Sequence, residues 1–362
     1  MKKQIVLTGG GTAGHVAVNL ALIPPLLRDG WSIDYIGSQE GIEEELIRDF
    51  PEVTYHAIPT GKFRRAKTLD NFFANFRDLF RIWSGYWKSR RLIKKIRPQI
   101  IFSKGGYVSV PVVYAGASLR VPVLSHESDL TPGLANKLTL SRSKKILITF
   151  KETARYLPKE KVYYLGPIIR GQIKGGSKER GLSHFSFDGK KPVLLVLGGS
   201  SGAARINEAV WENLDVLLET FDIVHGVGQG KGRSDLAQPG YVQVDYIKEE
   251  MKDALAMADL ILSRAGSNAI FEFLYYQKPM VLIPYRLGSR GDQVVNAKNF
   301  ADAGYANTLN ELTLTREDFL EAVSKTWQDR EEIVQREKAV EFQDGVQVIL
   351  NLIDRYAKGE TK

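Results

Sequence analysis

Gln4-Ile5-Val6-Leu7-Thr8-Gly9-Gly10-Gly11-Thr12-Ala13-Gly14-His15 opens the chain, and Val193-Leu194-Leu195-Val196-Leu197-Gly198-Gly199-Ser200-Ser201-Gly202 repeats its plan about half a chain later. In each, a short apolar run enters a glycine turn. Such a run is what a strand covered on both faces looks like. The glycines let the backbone approach a phosphate, and a helix starting after the turn offers free N–H groups. One turn suggests a nucleotide-binding half. Two predict an α/β chain of two Rossmann-like doubly wound parallel-sheet domains facing a central cleft.

The segments between follow the same alternation. Strands are expected at Gln4–Thr8, Ser32–Ile36, Val53–Ile58, Gln99–Ser103, Val121–Leu124 and Lys145–Thr149, then at Val193–Leu197, Ile223–Val227, Val242–Val244, Leu260–Ser263 and Met280–Ile283. Helices are expected over Ala204–Leu218, Glu249–Met257, Asn268–Tyr276 and Gln293–Ala303, and Thr315–Tyr356 reads as helical throughout. Alternation of this kind predicts parallel sheets. A stretch rich in Gly, Lys and Ser between Gly166 and Lys191 marks the boundary, giving an N-terminal domain over 1–165 and a C-terminal domain from 166.

At 362 residues the chain has the length of two domains. It has no cysteine, which excludes disulfides and thiolate metal sites and fits a reducing compartment. No apolar run approaches the length of a membrane span, and no leader precedes the first strand, so a cytoplasmic protein without a span is expected. The net charge of +8 is concentrated. Between Gly61 and Arg97 twelve Lys and Arg face two acids, Asp70 and Asp78, so this segment carries +10 and the remainder is near neutral. Its apolar residues Leu69, Phe72, Phe73, Phe76, Leu79, Phe80, Trp83 and Trp87 recur at helical spacing. One reading is a helix packed on its own sheet. The other is an interfacial element whose rings enter a membrane boundary while cations meet anionic lipid. Rings on one stripe, rather than spread over a sheet face, favour a membrane over nucleic acid.

Four further loops carry polar groups at strand ends. Gly9, Gly11 and Gly14 fit a dinucleotide fingerprint, and His15 stands beside that turn. Asp34 has the spacing of a ribose-binding acid, although it lies inside Ile33-Asp34-Tyr35-Ile36 and not at a strand end. Lys104-Gly105-Gly106-Tyr107 suits a phosphate, and His126-Glu127-Ser128-Asp129 suits acid–base work more than metal binding. In Arg264-Ala265-Gly266-Ser267-Asn268-Ala269-Ile270-Phe271-Glu272, Ser267 or Asn268 can cap a helix whose N-terminus suits a phosphate, and Glu272 can accept hydrogen bonds from both hydroxyls of a ribose. Arg290-Gly291-Asp292-Gln293 precedes another helix after Met280–Ile283.

Taken together, these motifs resemble the MurG family, peripheral membrane N-acetylglucosaminyltransferases that convert lipid I to lipid II in peptidoglycan synthesis. The resemblance covers nearly the whole chain and rests on Gly9–His15, Lys104–Ser109, His126–Asp129, Gly166–Arg170, Gly198–Gly202 and Arg264–Glu272 with Asp292-Gln293. It implies the glycosyltransferase fold of type B, with a C-terminal domain over 166–345 and a final helix, 346–362, packing back on the N-terminal domain. It also implies an inverting transfer from UDP-N-acetylglucosamine to the C4 hydroxyl of the muramoyl-pentapeptide on undecaprenyl pyrophosphate, at the cytoplasmic face of the cell membrane, without cofactor or metal.

By the same resemblance Ile247 flanks the uracil, Ser267, Asn268, Ala269 and Ile270 meet the nucleotide, and Glu272 holds the ribose. Ser200, Arg170 and Gln293 touch phosphate or sugar, and Gly11, Thr12, Ala13, Gly14 and Asp129 border the donor sugar. Gly10, Gly105, Gly106 and Tyr107 cradle the acceptor pyrophosphate. Phe80, Trp83, Tyr86, Trp87, Arg90 and Arg91 form the membrane patch. Ala13, Val18, Ala269 and Asp129 depart from the commonest family residues, and Asp129 puts an ionisable group where many members carry Asn. His15 is the first choice of base, with Glu127 and Asp129 as alternatives. The rivals are an NAD-dependent oxidoreductase using Gly9–Gly14 and Asp34, and a membrane-bound nucleotide-sugar-binding protein without catalysis; nucleic acid is not an expected partner.

Overall fold

The computed structural model describes residues 3–39, 41–61, 69–199, 202–286 and 291–360. They form two compact units. The first takes the described residues up to Arg170 and those from Gln343 on, and the second takes Gly171–Phe342.

The first unit is built on seven strands: β1 (Lys3–Thr8), β2 (Trp31–Ser38), β3 (Thr54–Ile58), β4 (Ile100–Ser103), β5 (Val123–Glu127), β6 (Lys145–Ile148) and β7 (Val162–Tyr164). They lie in the order β3-β2-β1-β4-β5-β6-β7, and every pair is parallel. Side chains alternate across a strand, so Ile5 and Leu7 enter one core with Ile33, Tyr35, Ile100 and Phe102. Val6 enters the other with Ile36, Ile101 and Ile93. Both faces are covered, which is why β1 reads as unbroken apolar sequence.

The first of these cores is closed by Leu22, Ile23 and Leu26 of the helix Ala17–Arg28 and by Ile349, Leu350, Leu352, Ile353 and Tyr356 of the helix Gly345–Ala357. The Asp344 side chain caps that last helix, accepting from Val346 N at 3.1 Å and Gln347 N at 3.2 Å. Each buried side chain of this size contributes about 1.5–3 kcal/mol. The exposed ion pair between Lys3 of β1 and Asp354 of that helix, at 3.2 Å, adds little by comparison. The segment Gly166–Arg170, expected in the C-terminal domain, runs with the first unit. Leu165 and Ile169 are buried there, Ile168 packs on the same core, and the Gln343 side chain donates to Leu165 O.

The second unit has β8 (Val193–Leu197), β9 (Asp222–Gly226), β10 (Tyr241–Val244), β11 (Leu260–Ser263), β12 (Met280–Leu282) and β13 (Ala306–Thr308). Their order is β10-β9-β8-β11-β12-β13, again all parallel. Leu194, Val196, Ile223, Leu260, Leu262 and Val281 make its core with Ile206, Val210, Phe319 and Val323 from the covering helices.

Three features differ from the sequence reading. The sequence does not announce the edge strands β7 and β13; each has three residues, of which only Ala306 is buried. The helix expected over Ala204–Leu218 is two, Ala204–Glu212 and Leu214–Thr220. Asn213 stands at the break, its Nδ2 donating to Ala209 O at 2.8 Å and its Oδ1 accepting from Arg316 Nε at 3.0 Å. Finally, β5 continues through His126 and Glu127, whose sequence suggests a loop, in register with Leu147 and Ile148 of β6.

Candidate active site

In each sheet the strand order reverses once, between β1 and β4 and between β8 and β11. Open parallel sheets bind ligands outside the carboxyl ends of the strands at such a reversal. The two glycine turns of the sequence leave β1 and β8, and the loops Lys104–Tyr107 and Arg264–Gly266 leave β4 and β11. Both pairs of loops therefore meet at a reversal.

In the first unit the two loops interlock. A Cβ on Gly106 (φ +79°) would lie 2.3 Å from Gly10 O and 3.2 Å from His15 Nδ1. A Cβ on Gly11 (φ +89°) would lie 2.4 Å from the Tyr107 ring. Conformation and space thus both require glycine at these positions. The turn then tightens into the short 3-10 segment Ala13–His15, with His15 N donating to Thr12 O at 3.0 Å. The His15 ring is half-buried, and its Nδ1 lies 3.0 Å from Thr12 Oγ1. Gly10, Gly11, Thr12, His15, Gly106 and Tyr107 are thus brought together, with Gly105 beside them against Asn136.

The end of β5 forms one wall. His126 is fully buried, and burial, reinforced by the Lys104 charge, holds its imidazole well below the ordinary range, so it is neutral. The Glu127 carboxylate accepts from Asp129 N at 3.0 Å, Gly133 N at 2.7 Å and Asn136 Nδ2 at 2.9 Å. Its oxygens are committed to fixing the following loop, which weighs against it as the alternative base. Lys104 is buried beneath, its Nζ 2.9 Å from Ser128 Oγ. Burial lowers its pKa against the opposing charges of Glu127 and Asp129.

Sequence reasoning missed Glu43. It is fully buried at the start of the helix Ile42–Ile47 and lies against Gly10. Its Oε2 accepts from Gly11 N at 3.2 Å, and its Oε1 accepts from Ser38 N at 2.9 Å and Ser38 Oγ at 2.5 Å. Asp34, the acid of the NAD reading, lies within β2 and is held by His56 Nε2 at 2.6 Å and by Gln4 Nε2. It is neither at the strand end nor available to a ribose.

In the second unit the helix Ser267–Tyr275 starts where β11 ends. Its cap is Gly266, extended at φ −68° and ψ 133°, and not the side chain of Ser267 or Asn268, so the terminal N–H groups are left for another acceptor. Ser267 and Glu272 are buried, and Ile270 is a core residue whose only polar contribution is its backbone. Asn268 and Ala269 are half-buried. Asn296 Nδ2 donates to Ala265 O at 3.3 Å and ties the helix Asp292–Asp302 to this loop. Gln293 on that helix accepts from Tyr285 N at 2.9 Å. Arg264 is a staple, not a site residue in the open: it donates to Ile283 O at 2.9 Å and to buried Glu311 at 2.5 Å. Gly202 (φ +68°) presses on Val227, where a Cβ would lie 2.2 Å from the carbonyl oxygen. Ile247 is buried just past β10. Ser200 and Arg290 lie outside the described residues, and Arg170 and Asp129 belong to the first unit, both half-buried.

Among the described residues no three His, Asp or Glu side chains are arranged as metal ligands, and no helix is long and apolar enough to cross a membrane. On the helix Leu69–Ile96, Phe80 and Trp83 are 60% and 65% exposed, and Leu79 and Trp87 are also exposed. Arg91 is exposed, and Arg90 lies over the Trp87 ring at 5.9 Å. Tyr86 departs from the expected patch: it packs inward against the core around Ile93 and Val112. The basic residues Lys62, Arg64, Arg65 and Lys67 lie outside the described residues.

Comparison with known proteins matches residues 5–148 to the glycosyltransferase family 28 N-terminal domain and residues 193–350 to the family 28 C-terminal domain. A protein of Geobacillus thermodenitrificans is 47% identical over 99% of this chain and 100% of its own length. One of Staphylococcus aureus (strain MRSA252) is 47% identical over 93% of this chain and 94% of its own. Both are named UDP-N-acetylglucosamine–N-acetylmuramyl-(pentapeptide) pyrophosphoryl-undecaprenol N-acetylglucosamine transferase. Among solved structures, Acinetobacter baumannii MurG has a TM-score of 0.78 at 24% identity, covering 98% of this chain and 99% of that one. A putative UDP-N-acetylglucosamine 2-epimerase from Listeria monocytogenes has a TM-score of 0.68 at 11% identity, covering 99% and 98%. At these identities the solved structures speak for the fold alone.

Proposed function

The chain belongs to glycosyltransferase family 28 through both of its halves, and on that footing we propose how its two strand-order reversals share one transfer reaction. The enzyme moves N-acetylglucosamine from UDP-N-acetylglucosamine to the C4 hydroxyl of the muramoyl-pentapeptide of lipid I and so forms lipid II for peptidoglycan. The observation that carries this is 47% identity to named transferases from end to end.

The donor goes to the second unit. Its diphosphate meets the uncapped N-terminus of Ser267–Tyr275, where free N–H groups and the helix dipole favour negative charge. Glu272, one turn further, takes the ribose hydroxyls, Ile247 flanks the uracil, and Gln293 and Ser200 border the sugar and phosphates. The acceptor pyrophosphate goes to the loops of Gly10, Gly105, Gly106 and Tyr107 in the first unit. His15 takes the proton of the C4 hydroxyl as its oxygen attacks the anomeric carbon and the bond to UDP breaks, inverting that centre. Arg170 and the backbone N–H groups stabilise the charge that develops on UDP.

The exposed rings of Phe80, Trp83 and Trp87 beside Arg90 and Arg91 support docking on an anionic membrane from the cytoplasmic side, where a lipid-linked acceptor is held.

The deciding experiment is transfer of labelled N-acetylglucosamine to a lipid-linked muramyl pentapeptide. Turnover is expected, as is thermal stabilisation by UDP and not by NADH, amounting to about 2.7 kcal/mol at a hundredfold excess over Kd. UDP binding without transfer would leave only a nucleotide-sugar-binding protein. His15→Ala is expected to lower kcat by orders of magnitude with UDP affinity kept; full turnover in that variant would move the base elsewhere.

A further inference from the structure

We propose that Glu43 is a positioning residue for the transfer step, setting the His15 imidazole through the first glycine turn. The inference rests on His15 as the proton acceptor.

Glu43 is a fully buried carboxylate, which is costly unless its oxygens are well used. They are: Oε2 takes Gly11 N–H, and Oε1 takes both the N–H and the hydroxyl of Ser38. All three partners donate, so the position calls for a side chain that only accepts. A glutamine would turn its NH2 toward either Gly11 N–H or Ser38 N–H and leave donor facing donor. Ser38 is itself fixed, its carbonyl accepting from Tyr55 Oη at 2.6 Å. The carboxylate therefore joins the rigid end of β2 to the turn that leaves β1.

What it holds is the residue before Thr12. Thr12 Oγ1 lies 3.0 Å from His15 Nδ1, and the same turn presents Gly10 O to Gly106. For Nε2 of His15 to accept a proton it must be unprotonated, so Nδ1 must carry the ring hydrogen, and the Thr12 hydroxyl stands where it can accept that N–H. If Gly11 drifts, Thr12 moves with it, and the ring loses its orientation and the acceptor that supports Nδ1–H. The turn is also buttressed on the β1 side, where Tyr35 Oη donates to Gly9 O at 2.6 Å and Asn19 Nδ2 lies 3.1 Å from Tyr35 Oη. Glu43 is the part of this support that reaches the Thr12 side. It follows that Gly11 N–H is already taken by an internal anion, and the acceptor diphosphate has to use other donors of these loops.

The test is a double-mutant cycle in the full-length enzyme, with Glu43→Gln, Thr12→Val and both together, read by kcat and by both KM values. Action through Thr12 makes the two substitutions strongly non-additive: each lowers kcat by tenfold or more, and the pair is little worse than either. The second readout is the 15N signature of the His15 ring, one of five histidines. Glu43→Gln is expected to shift its tautomer balance and leave buried His225 unmoved. This readout needs no turnover, so it stands apart from whether His15 is the base, which His15→Ala decides. Should Glu43→Gln fail to fold, Ser38→Ala, which removes one donor and keeps the carboxylate, must give the same changes in smaller measure. Additive effects on kcat together with an unchanged His15 signature overturn the proposal.

Discussion

Replacing Gly106 with alanine separates two costs that usually come together. Gly106 and Gly30 both lie in the first unit and both have φ +79°. An alanine at either pays the same backbone penalty, about 1–2 kcal/mol for a left-handed residue. Around Gly30 nothing lies within 4 Å of the added carbon, whereas at Gly106 it would meet Gly10 O at 2.3 Å, with His15 Nδ1 at 3.2 Å. The oxygen belongs to backbone and cannot swing aside, so the loops must part, and overpacking of this kind costs about 1–3 kcal/mol more. Denaturant unfolding of the three proteins should therefore place Gly30→Ala about 1–2 kcal/mol below the parent and Gly106→Ala a further 1–3 kcal/mol lower. In the transfer assay Gly30→Ala should match the parent, while Gly106→Ala should lose most of kcat even where it is fully folded. Equal destabilisation by the two substitutions would mean that the loops after β1 and β4 do not interlock, and the placement of His15 argued above would fall with it.

Three further outcomes are expected. Burial pushes the Glu337 carboxyl up to about 8, with the Lys278 charge opposing. A raised folded-state value gives stability that is present at low pH and lost as pH climbs from about 4.5 through 8. Glu337→Gln should thus be more stable than the parent by a few kcal/mol at pH 8.5 and nearly equal at pH 5 in urea unfolding; a gain equal at both would refute the assignment. Glu272→Gln should weaken UDP binding by about 1.5–3 kcal/mol, the worth of hydrogen bonds to a charged group. Calorimetry with 2'-deoxy-UDP should then show the parent losing affinity and the variant indifferent; a variant that still discriminates would clear Glu272 of the ribose. Joint replacement of Phe80 and Trp83 by serine should cut partitioning onto anionic vesicles by about a hundredfold or more, at about 1.5 kcal/mol or more per ring, with turnover on a detergent-solubilised acceptor kept. Unchanged sedimentation with vesicles would place the membrane contact elsewhere.

How far the sequence reveals this molecule depends on whether a residue's role is written in its own neighbourhood. The β1 and β8 runs are apolar because both faces of each sheet are covered, and that pattern is local, so the doubly wound plan could be read directly. The short edge strands β7 and β13 have little apolar sequence to announce them and exist because a neighbouring strand offers a ladder. His126 and Glu127 look like loop residues by polarity, and they belong to β5 because Asn136, Gly133 and Thr149 supply hydrogen-bond partners from elsewhere in the chain. Glu43 is the sharpest case. It stands first in Glu43-Glu44-Glu45, which reads as a solvated acidic face, and Glu45 is exposed as such a face requires. Only the approach of Ser38 and Gly11 turns its neighbour into a buried anchor. The expected cap at Ser267 or Asn268 failed for a related reason: Gly266 already had the extended conformation the cap position needs.

The helix Gly345–Ala357 has a consequence for the order in which the molecule can be made. A chain leaving the ribosome presents β1 to β7 before the second unit, yet the core beside β1 and β4 lacks Ile349, Ile353 and Tyr356 until the second unit has been added. The second unit, Gly171–Phe342, is complete in one continuous stretch before that. Domains generally fold as units during synthesis. Here the part begun first is finished after the second, and until Gly345–Ala357 emerges the newborn chain carries an open apolar seam beside β1, the strand whose turn leads to His15.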